Sequence, residues 1–374
     1  TDPTCLTGTG STVTLTLGEE TQAFTGLDGL SYYYHITSID HVGNQTVSTC
    51  SAAMLLDVTD PAAATSLTWV EVPSPHDDLN ITASWTGSVS GDVASQSITF
   101  YTNPGCSASV STFPLLSAAV SQPFVGVHAN TYYYEVTVTD NAGNTTDSGC
   151  SAPMVIDNVA PTPPASAGLT WLEVPTPHDS TNITASWTLS VSGLDVASQN
   201  IDFYQNDNTC SGVPYNSVAG LSSSTNTQAV VGTDNANFYY KVTVIDAAGN
   251  TDASACSAVM HIDVTDPVPA TNLVWSEGTA YNGTTITAVW TLGSDADSGL
   301  ASQTVTYYQD GSCTNLEGTT SSLGSAITTD SFANGINGAT FSYTVTTVDI
   351  AGNSLVSGCS SAMNIDTTPP AAAT

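Results

Sequence analysis

Apolar and polar residues alternate along most of this chain, in short stretches separated by glycine, proline, asparagine and aspartate. In one stretch, Ile81, Ala83 and Trp85 fall on the same face of an extended segment, with threonine and serine between them. Successive side chains of a strand point to opposite faces, so alternation with a period of two predicts half-buried β-strands. No segment has the spacing of an amphipathic helix. We therefore expect an all-β protein.

The chain repeats one unit of about 100 residues. The segment Asn-Ile-Thr-Ala-Ser-Trp at residues 80–85 recurs at 182–187 and, beginning with threonine and ending Ala-Val-Trp, at 285–290. A second block, residues 132–144, recurs at 32–44, 238–250 and 341–353. A period of this length is typical of a domain and not of one turn of a solenoid.

The repeats predict the domain boundaries. We expect the C-terminal half of one unit at residues 1–57, three complete units at 58–157, 158–263 and 264–366, and the start of another at 367–374. Half a domain would expose its core. We therefore expect the sequence to be a window from a longer repetitive polypeptide.

Within the unit at 58–157, alternation predicts strands at residues 67–72, around Trp85, at 97–101, at 132–139 and at 150–156. In the strand at 132–139, one face carries Tyr132, Tyr134, Val136 and Val138, which we expect to be buried. The opposite face includes a position that is His35, Glu135, Lys241 or Thr344 in the four copies. Such variation is typical of a residue that faces solvent.

About seven short strands per repeat predict a β-sandwich. The tryptophan of the second strand, the tyrosine-rich strand, the Asp-x-Ala-Gly-Asn turn and the Asp-x-Thr-x-Pro linkers resemble fibronectin type III-like and bacterial immunoglobulin-like domains. The resemblance implies a tandem array of seven-stranded sandwiches from a large secreted or surface protein. In the letter scheme of such domains, Trp85 lies on strand B, the next strand is C, and Tyr134 lies on strand F, which precedes strand G.

Each repeat contains two cysteines, separated by 44 to 46 residues. We expect one disulfide per domain, pairing Cys5 with Cys50, Cys106 with Cys150, Cys210 with Cys256, and Cys313 with Cys359. Free buried thiols are the alternative, while a metal site would need clustered cysteine and histidine, which is absent. Closing such a loop stabilises a domain by about 3–4 kcal/mol. Disulfides indicate an oxidising compartment, so we expect an extracellular, secreted or cell-surface protein.

The charge of the chain is almost wholly negative. Of its 374 residues, 33 are Asp or Glu and only Lys241 is basic, giving a formal net charge of −32. This balance argues against nucleic-acid binding and against attraction to anionic membranes, both of which need several basic residues. No run of 18 apolar residues occurs, so we expect no insertion into a membrane.

Acidic residues concentrate where one repeat should meet the next. Calcium binds six to eight oxygen ligands, so each predicted junction is a candidate interdomain calcium site. The alternative is that these side chains only cap turns. The candidates are Asp57, Asp60, Asp92, Asp140 and Asn144 at the first junction, Asp157, Asp195, Asp246 and Asn250 at the second, and Asp263, Asp266, Asp295, Asp297, Asp349 and Asn353 at the third.

No catalytic motif stands out. The repeated His-Asp pairs, His76-Asp77 and His178-Asp179, are interpreted as turns in the A–B loop, because no nucleophile motif or phosphate-binding loop accompanies them. We expect neither an enzyme nor a required cofactor.

The sequence therefore predicts a mechanical role, as a subunit or segment of a long extracellular bacterial filament or surface fibre. The alternative is the stalk or binding region of a large adhesin that recognises a glycan or a host protein. Expected partners are copies of the chain itself, with Tyr33, Tyr133 and Tyr239 as candidate lateral contacts. Ordinary cross-strand packing is the alternative role for these tyrosines.

Overall fold

The computed structural model describes residues 4–5, 10–190, 196–320 and 322–372. The chain divides into two compact units, Thr1–Val159 and Ala160–Thr374, which are described separately below. Within the described ranges, the only helix is the short 3₁₀ turn Ser166–Gly168, and no helix could cross a membrane.

The first unit begins with a small two-sheet region and continues with a complete sandwich. Four short strands form the first region: β1 (Ser31–Tyr32), β2 (Thr37–Ile39), β3 (Gln45–Val47) and β4 (Met54–Leu55). The sandwich consists of β5 (Thr65–Trp69), β6 (Asn80–Thr86), β7 (Val93–Tyr101), β8 (Ser109–Leu116), β9 (Ser121–Val125), β10 (Thr131–Asp140), β11 (Thr145–Asp147) and β12 (Met154–Val155). Strands β5, β6, β7, β10 and β11–β12 correspond to A, B, C, F and G.

The sandwich of the first unit has two antiparallel sheets. One is three-stranded, in the order β5-β6-β9, and the other runs β11-β10-β7-β8, with β12 also paired to β10. Since β11 and β12 are two parts of one edge strand, the domain has seven strands. The strand-C prediction was too short, because β7 begins at Val93 and not at Ser97.

The second unit contains two more sandwiches with the same arrangement. The first consists of β13 (Leu169–Trp171), β14 (Asn182–Trp187), β15 (Val196–Gln205), β16 (Asn216–Ser222), β17 (Thr227–Val231), β18 (Ala236–Asp246), β19 (Thr251–Ala253) and β20 (Met260–Ile262). The next consists of β21 (Thr271–Trp275), β22 (Ala280–Tyr281), β23 (Ile286–Thr291), β24 (Leu300–Tyr308), β25 (Leu316–Thr319), β26 (Leu323–Gly324), β27 (Thr329–Phe332), β28 (Thr340–Asp349), β29 (Ser354–Val356) and β30 (Met363–Ile365). The three-stranded sheets run β13-β14-β17 and β21-β23-β27.

The predicted fold class, a tandem array of immunoglobulin-like sandwiches with one disulfide each, is confirmed. Separate hydrophobic cores fill the sandwiches at residues 64–156, 169–262 and 270–365. The expected alternation on strand F is also present, since Tyr134 and Val136 are fully buried. In the first region their counterparts Tyr34 and Ile36 are 67% and 52% exposed. The domain boundaries themselves stay a prediction.

A buried polar pair also joins the two sheets of each sandwich. The Nε1 group of Trp85 on β6 donates to Oε1 of Gln96 on β7 at 3.1 Å, and the Gln96 amide donates to the carbonyls of Ser117 and Ala119. Trp187 pairs with Gln199 and Trp290 with Gln303 in the same way. Trp85 and Gln96 are both buried in the first sandwich, and their polar groups pair there, so the pair favours one alignment of the sheets.

Strand G differs from its prediction, which began it at Cys150. The strand begins at Thr145 and is interrupted between β11 and β12. In the interruption, the hydroxyl oxygens of Ser148 and Ser151 accept hydrogen bonds from the backbone of Val136 and Tyr134 at 2.9 and 3.0 Å. Because the serine side chains replace missing ladder bonds, strand F keeps these donors paired across the segment that contains Cys150.

Strand A was also wrongly bounded, because β5 ends at Trp69 and not at residue 72. Two cis peptide bonds follow, before Pro73 and Pro75. The chain then forms an isolated parallel bridge between His76 and Ile156. The segment interpreted as an A–B turn therefore covers the edge of the other sheet, which protects that edge from pairing with another chain.

The variable position on strand F is not uniformly exposed. Glu135 and Lys241 are half-buried, whereas Thr344 is only 7% exposed, so the solvent-facing prediction is wrong for the fourth copy. The candidate lateral tyrosines Tyr133 and Tyr239 are likewise half-buried and not fully exposed. Tyr133 lies opposite Tyr101, which is consistent with cross-strand packing.

Candidate functional site

The structure forms the four expected disulfides, Cys5–Cys50, Cys106–Cys150, Cys210–Cys256 and Cys313–Cys359. Cys106 lies in the turn after β7, and Cys150 lies in the interruption of strand G. This bridge therefore links the turn after β7 to the interrupted edge strand. Because disulfides persist in oxidising surroundings, these bridges indicate a compartment other than the cytosol.

In the first unit, the linker after Asp57 is fastened from both sides. From the preceding region, the Asp28 carboxylate accepts hydrogen bonds from the backbone of Val58 at 2.8 Å and from the hydroxyl of Thr59 at 2.5 Å. From the following sandwich, the amide nitrogen of Asn144 lies 3.3 Å from the carbonyl oxygen of Asp57. Side-chain hydrogen bonds from Asp28 and Asn144 thus restrain the linker, in addition to the restriction imposed by its proline.

Three of the predicted ligands at this junction come together. Asp57, Asp92 and Asp140 each place a carboxylate oxygen within 4.8 Å of the others. Asp140 is 2% exposed; burial opposes its ionisation, but hydrogen bonds from the side chain and backbone of Asn144 outweigh this and lower the pKa of the carboxyl. Asp60 is exposed and lies outside the group.

Asp140 also caps the F–G turn, as the alternative interpretation of the acidic residues predicts. Its Oδ1 accepts backbone hydrogen bonds from Ala142, Gly143 and Asn144 at 2.7–2.9 Å. Gly143 has a φ of +97°, a conformation that only glycine adopts without strain. Capping of the turn and proximity to other carboxylates therefore coexist at this residue, and the two interpretations of the acidic positions are not exclusive.

The predicted ligands of the second junction lie in different units. In the first unit, Asp157 lies 3.5 Å from the ring nitrogen Nδ1 of His128. In the second unit, Asp246 is buried and accepts hydrogen bonds from the backbone of Gly249 and Asn250. Asp195 lies outside the described residues.

The linker within the second unit is fastened in the same way as the first. The Asp234 carboxylate accepts hydrogen bonds from the backbone of Val264 at 2.8 Å and from the hydroxyl of Thr265 at 2.6 Å. The side-chain amide of Asn353 donates to the carbonyl of Asp263 at 2.8 Å. An aspartate before strand F and an asparagine in the next F–G loop therefore hold the linker in both units.

The acidic residues of this third junction form two groups. Asp263, Asp295 and Asp349 have carboxylate oxygens within 4.8 Å of one another, as do Asp234, Asp263 and Asp297. Asp263 belongs to both groups and is fully buried. Asp266 is exposed and belongs to neither.

A histidine contacts the second of these groups. The Nε2 atom of His261 lies 3.0 Å from Oδ1 of Asp297. Burial raises the pKa of the Asp297 carboxyl, while the hydrogen bond from His261 opposes the rise and the nearby Asp263 and Asp234 carboxylates add to it. A cation at this group would relieve the same repulsion.

Sequence reasoning missed Asp28 and Asp234, which lie in the loop before strand F. A signal for them exists: a polar residue stands six positions before Tyr34, Tyr134, Tyr240 and Tyr343, the equivalent tyrosines of the four copies. These polar residues are Asp28, His128, Asp234 and Asn337. Alternation of apolar residues does not reveal this signal, because the loop lies outside the strands.

The repeated His-Asp pairs lie beside the last strand of their sandwiches. The Nδ1 atoms of His76 and His178 lie 3.7 Å from the neighbouring Asp77 and Asp179 carboxylates, which are about half exposed. The backbone of each histidine is bridged to the last strand of its sandwich. The segments that contain these pairs therefore cover the edge of the sheet to which strand F belongs.

No known protein family and no curated protein matches the sequence. Among solved structures, the chain is similar to the crystal structure of the FN1–FN3 domains of chicken CNTN1. The identity is 12%, the TM-score is 0.32, and the match covers 83% of this chain and 99% of that one. The all-β sandwich architecture rests on the strands, sheets and cores described above.

Proposed function

We propose that this chain is a segment of a long extracellular bacterial fibre or filament, in which tandem sandwiches carry load and span distance. The observation that supports this most directly is the doubly fastened linker. Asp28 and Asn144 hold one linker from its two sides, and Asp234 and Asn353 hold the other. A flexible tether would not need such contacts, whereas a load-bearing rod does.

The covalent design of the repeats agrees with this role. One disulfide crosses each sandwich and limits how far the chain can extend if that sandwich opens. The edge strands are covered by the segments at His76 and His178, which hinders uncontrolled pairing with other chains. These features suit a protein that works outside the cell, without chaperones. The bacterial source in this proposal rests on the sequence resemblance alone.

The proposed partner is a second copy of the same chain, joined end to end or side by side. The net charge of −32 makes close lateral approach unfavourable unless cations screen or bridge the carboxylates. Assembly should therefore depend on ionic conditions. The adhesin stalk, our alternative from the sequence, would carry its binding activity elsewhere and would remain a single thread.

Negative-stain electron microscopy of the native protein tests this proposal. Uniform filaments wider than one sandwich would support a structural polymer. Isolated beaded rods of one sandwich width would overturn assembly and support the stalk. Collapsed, freely bent chains would overturn both, because neither role is compatible with loose linkers.

A matched pair of variants sharpens the test. Asn144→Ala with Asn353→Ala removes the contact from the following sandwich at both linkers, and Asn334→Ala changes an exposed asparagine of the last sandwich. We expect the double variant to bend more than the native protein in single-particle images, with Asn334→Ala unchanged. Equal bending in all three proteins would contradict the role assigned to the linkers.

A further inference from the structure

Five carboxylates converge where the second sandwich, residues 169–262, meets the third, residues 270–365, which belong to the third and fourth repeats. Two of their oxygens have no hydrogen-bond partner. The residues are Asp234, Asp263, Asp295, Asp297 and Asp349, arranged as two groups that share Asp263. Clustered acidic side chains are common on protein surfaces, so the grouping alone assigns nothing. A second observation points to a ligand: Asp263, the residue shared by both groups, has a carboxylate oxygen without a hydrogen-bond partner.

Asp263 is fully buried, and its Oδ2 atom has no partner. Its Oδ1 atom accepts one hydrogen bond, from the backbone of Thr265 at 3.1 Å. A buried carboxylate oxygen without a donor or a cation costs several kcal/mol, and proteins normally pair such groups or coordinate a metal with them. No lysine or arginine compensates, because the only such residue in the chain, Lys241, donates to the carbonyl of Cys210.

Asp297, in the second group, also has a carboxylate oxygen without a hydrogen-bond partner. Its side chain is 12% exposed, and its Oδ2 atom is buried without a partner, while Oδ1 contacts His261. Asp297 lies in a B–C loop that spans residues 292–299, whereas the counterpart in the first unit spans residues 87–92. The longer loop adds a second aspartate beside Asp295, and with it the second group.

The first unit provides an internal comparison. Asp57, Asp92 and Asp140 form one group there, and none of them has a buried oxygen without a partner among the described residues. The strand position of His261 is occupied by Leu55 in that unit. The features that point to a ligand therefore coincide at one junction and are not a general property of the repeat.

We propose that the junction between the third and fourth repeats binds two neighbouring calcium ions bridged by Asp263. Asp295 and Asp349 hold one ion, and Asp234 and Asp297 hold the other. Carboxylate and carbonyl oxygens are the hard ligands that calcium prefers, and calcium tolerates the irregular geometry of ligands drawn from separate loops better than magnesium does. This site connects loops of both repeats, so calcium should stiffen the junction. The inference concerns metal binding and does not depend on whether the chain forms fibres.

Calcium titration of the full chain, after removal of divalent ions with a chelator, tests the proposal by isothermal calorimetry. Sites of extracellular modules typically have dissociation constants on the order of 0.1–1 mM. Asp263→Asn should lower the number of bound ions by two and Asp297→Asn by one. Asp266→Asn, which makes the same charge change in the adjacent linker, should leave the number unchanged.

The same proteins provide a second readout that does not rest on stoichiometry. Calcium at millimolar concentration should raise the melting temperature of the native protein and of Asp266→Asn, and should raise it less for Asp263→Asn. Magnesium at equal concentration should have a smaller effect. Circular dichroism establishes that each variant is folded before it is titrated.

Three results would overturn the proposal. The first is the absence of both heat and a melting shift with millimolar calcium. The second is equal binding by Asp263→Asn and Asp266→Asn, which would mean that the bound calcium is only a counterion for the acidic surface. The third is the loss of a single ion in Asp263→Asn, which would exclude the bridged pair.

Discussion

The side-chain amide of Asn353 donates a hydrogen bond of 2.8 Å to the main-chain oxygen of Asp263. The F–G loop of one repeat thereby holds the last residue of the repeat before it. Asn144 occupies the same position in the first unit and approaches the carbonyl of Asp57 at 3.3 Å. These hydrogen bonds connect each linker to the sandwich that follows it.

Replacing Asn353 with alanine should loosen the linker that follows Asp263. A hydrogen bond of this kind contributes about 1 kcal/mol net, so amide exchange in residues 264–268 should quicken about fivefold. Hydrogen–deuterium exchange with mass spectrometry measures this directly. Asn334→Ala is the control, and equal exchange in the two variants would contradict the prediction.

Removing the disulfide of the first complete sandwich should weaken that sandwich alone. The Cys106–Cys150 bridge closes a loop with a sequence separation of 44 residues, and its loss, as Cys106→Ala with Cys150→Ala, should cost about 3–4 kcal/mol. Exchange protection in urea, followed repeat by repeat, reports this cost. The corresponding change at Cys313 and Cys359 should affect only residues 270–365. Simultaneous loss of protection in every repeat would argue against independent domains.

Replacing Gln96 with leucine should also destabilise the first sandwich. The substitution leaves the buried Nε1 group of Trp85 without its acceptor and the carbonyls of Ser117 and Ala119 without their donor. Buried polar groups left unpaired cost about 1–3 kcal/mol, which should appear as reduced exchange protection in β6 and β7. Gln122→Leu removes only an exposed hydrogen bond and should change little. Similar protection in both variants would show that the pair contributes nothing.

Raising the pH should destabilise the sandwiches through their buried tyrosines. Burial raises the pKa of Tyr134 to about 12, and the protonated hydroxyl donates to the carbonyls of Ser84 and Thr68. The unfolded chain loses this proton near pH 10, so the folded state holds more protons between about pH 10 and 12. The contribution of Tyr134 to stability is therefore complete below pH 10 and falls as the pH rises toward 12.

Absorbance at 295 nm and circular dichroism, recorded together, test this. Tyr134 and its counterparts Tyr240 and Tyr343, whose pKa values burial also raises, should ionise only with the loss of β-structure. Exposed tyrosines should ionise earlier. Full ionisation of all tyrosines near pH 10 with the fold intact would contradict the assigned burial.

Several parts of the structure followed from local pattern. Alternation placed Ile81, Ala83 and Trp85 on one buried face, and the repeat placed a positive-φ glycine in each F–G turn, as at Gly143 and Gly352. These features depend on neighbouring residues only. Strand ends were less predictable: β5 stops at Trp69 because the chain then crosses to the other sheet, where His76 bridges Ile156.

The candidate calcium ligands also include residues that the sequence predicted and residues that it missed. The all-β class, the repeat and the cysteine pairing could be read from the amino-acid pattern, because the hydrophobic period and a nearly constant cysteine spacing recur along the chain. Which acidic residues meet depends on the folded arrangement of the loops. Asp60 and Asp266 follow Asp57 and Asp263 by three residues in the chain but are exposed and lie outside the groups, while Asp234, missed in the sequence, belongs to one. Proximity between loops separated by tens of residues depends on how the sheets stack and how each linker is held, and no local pattern records that distance.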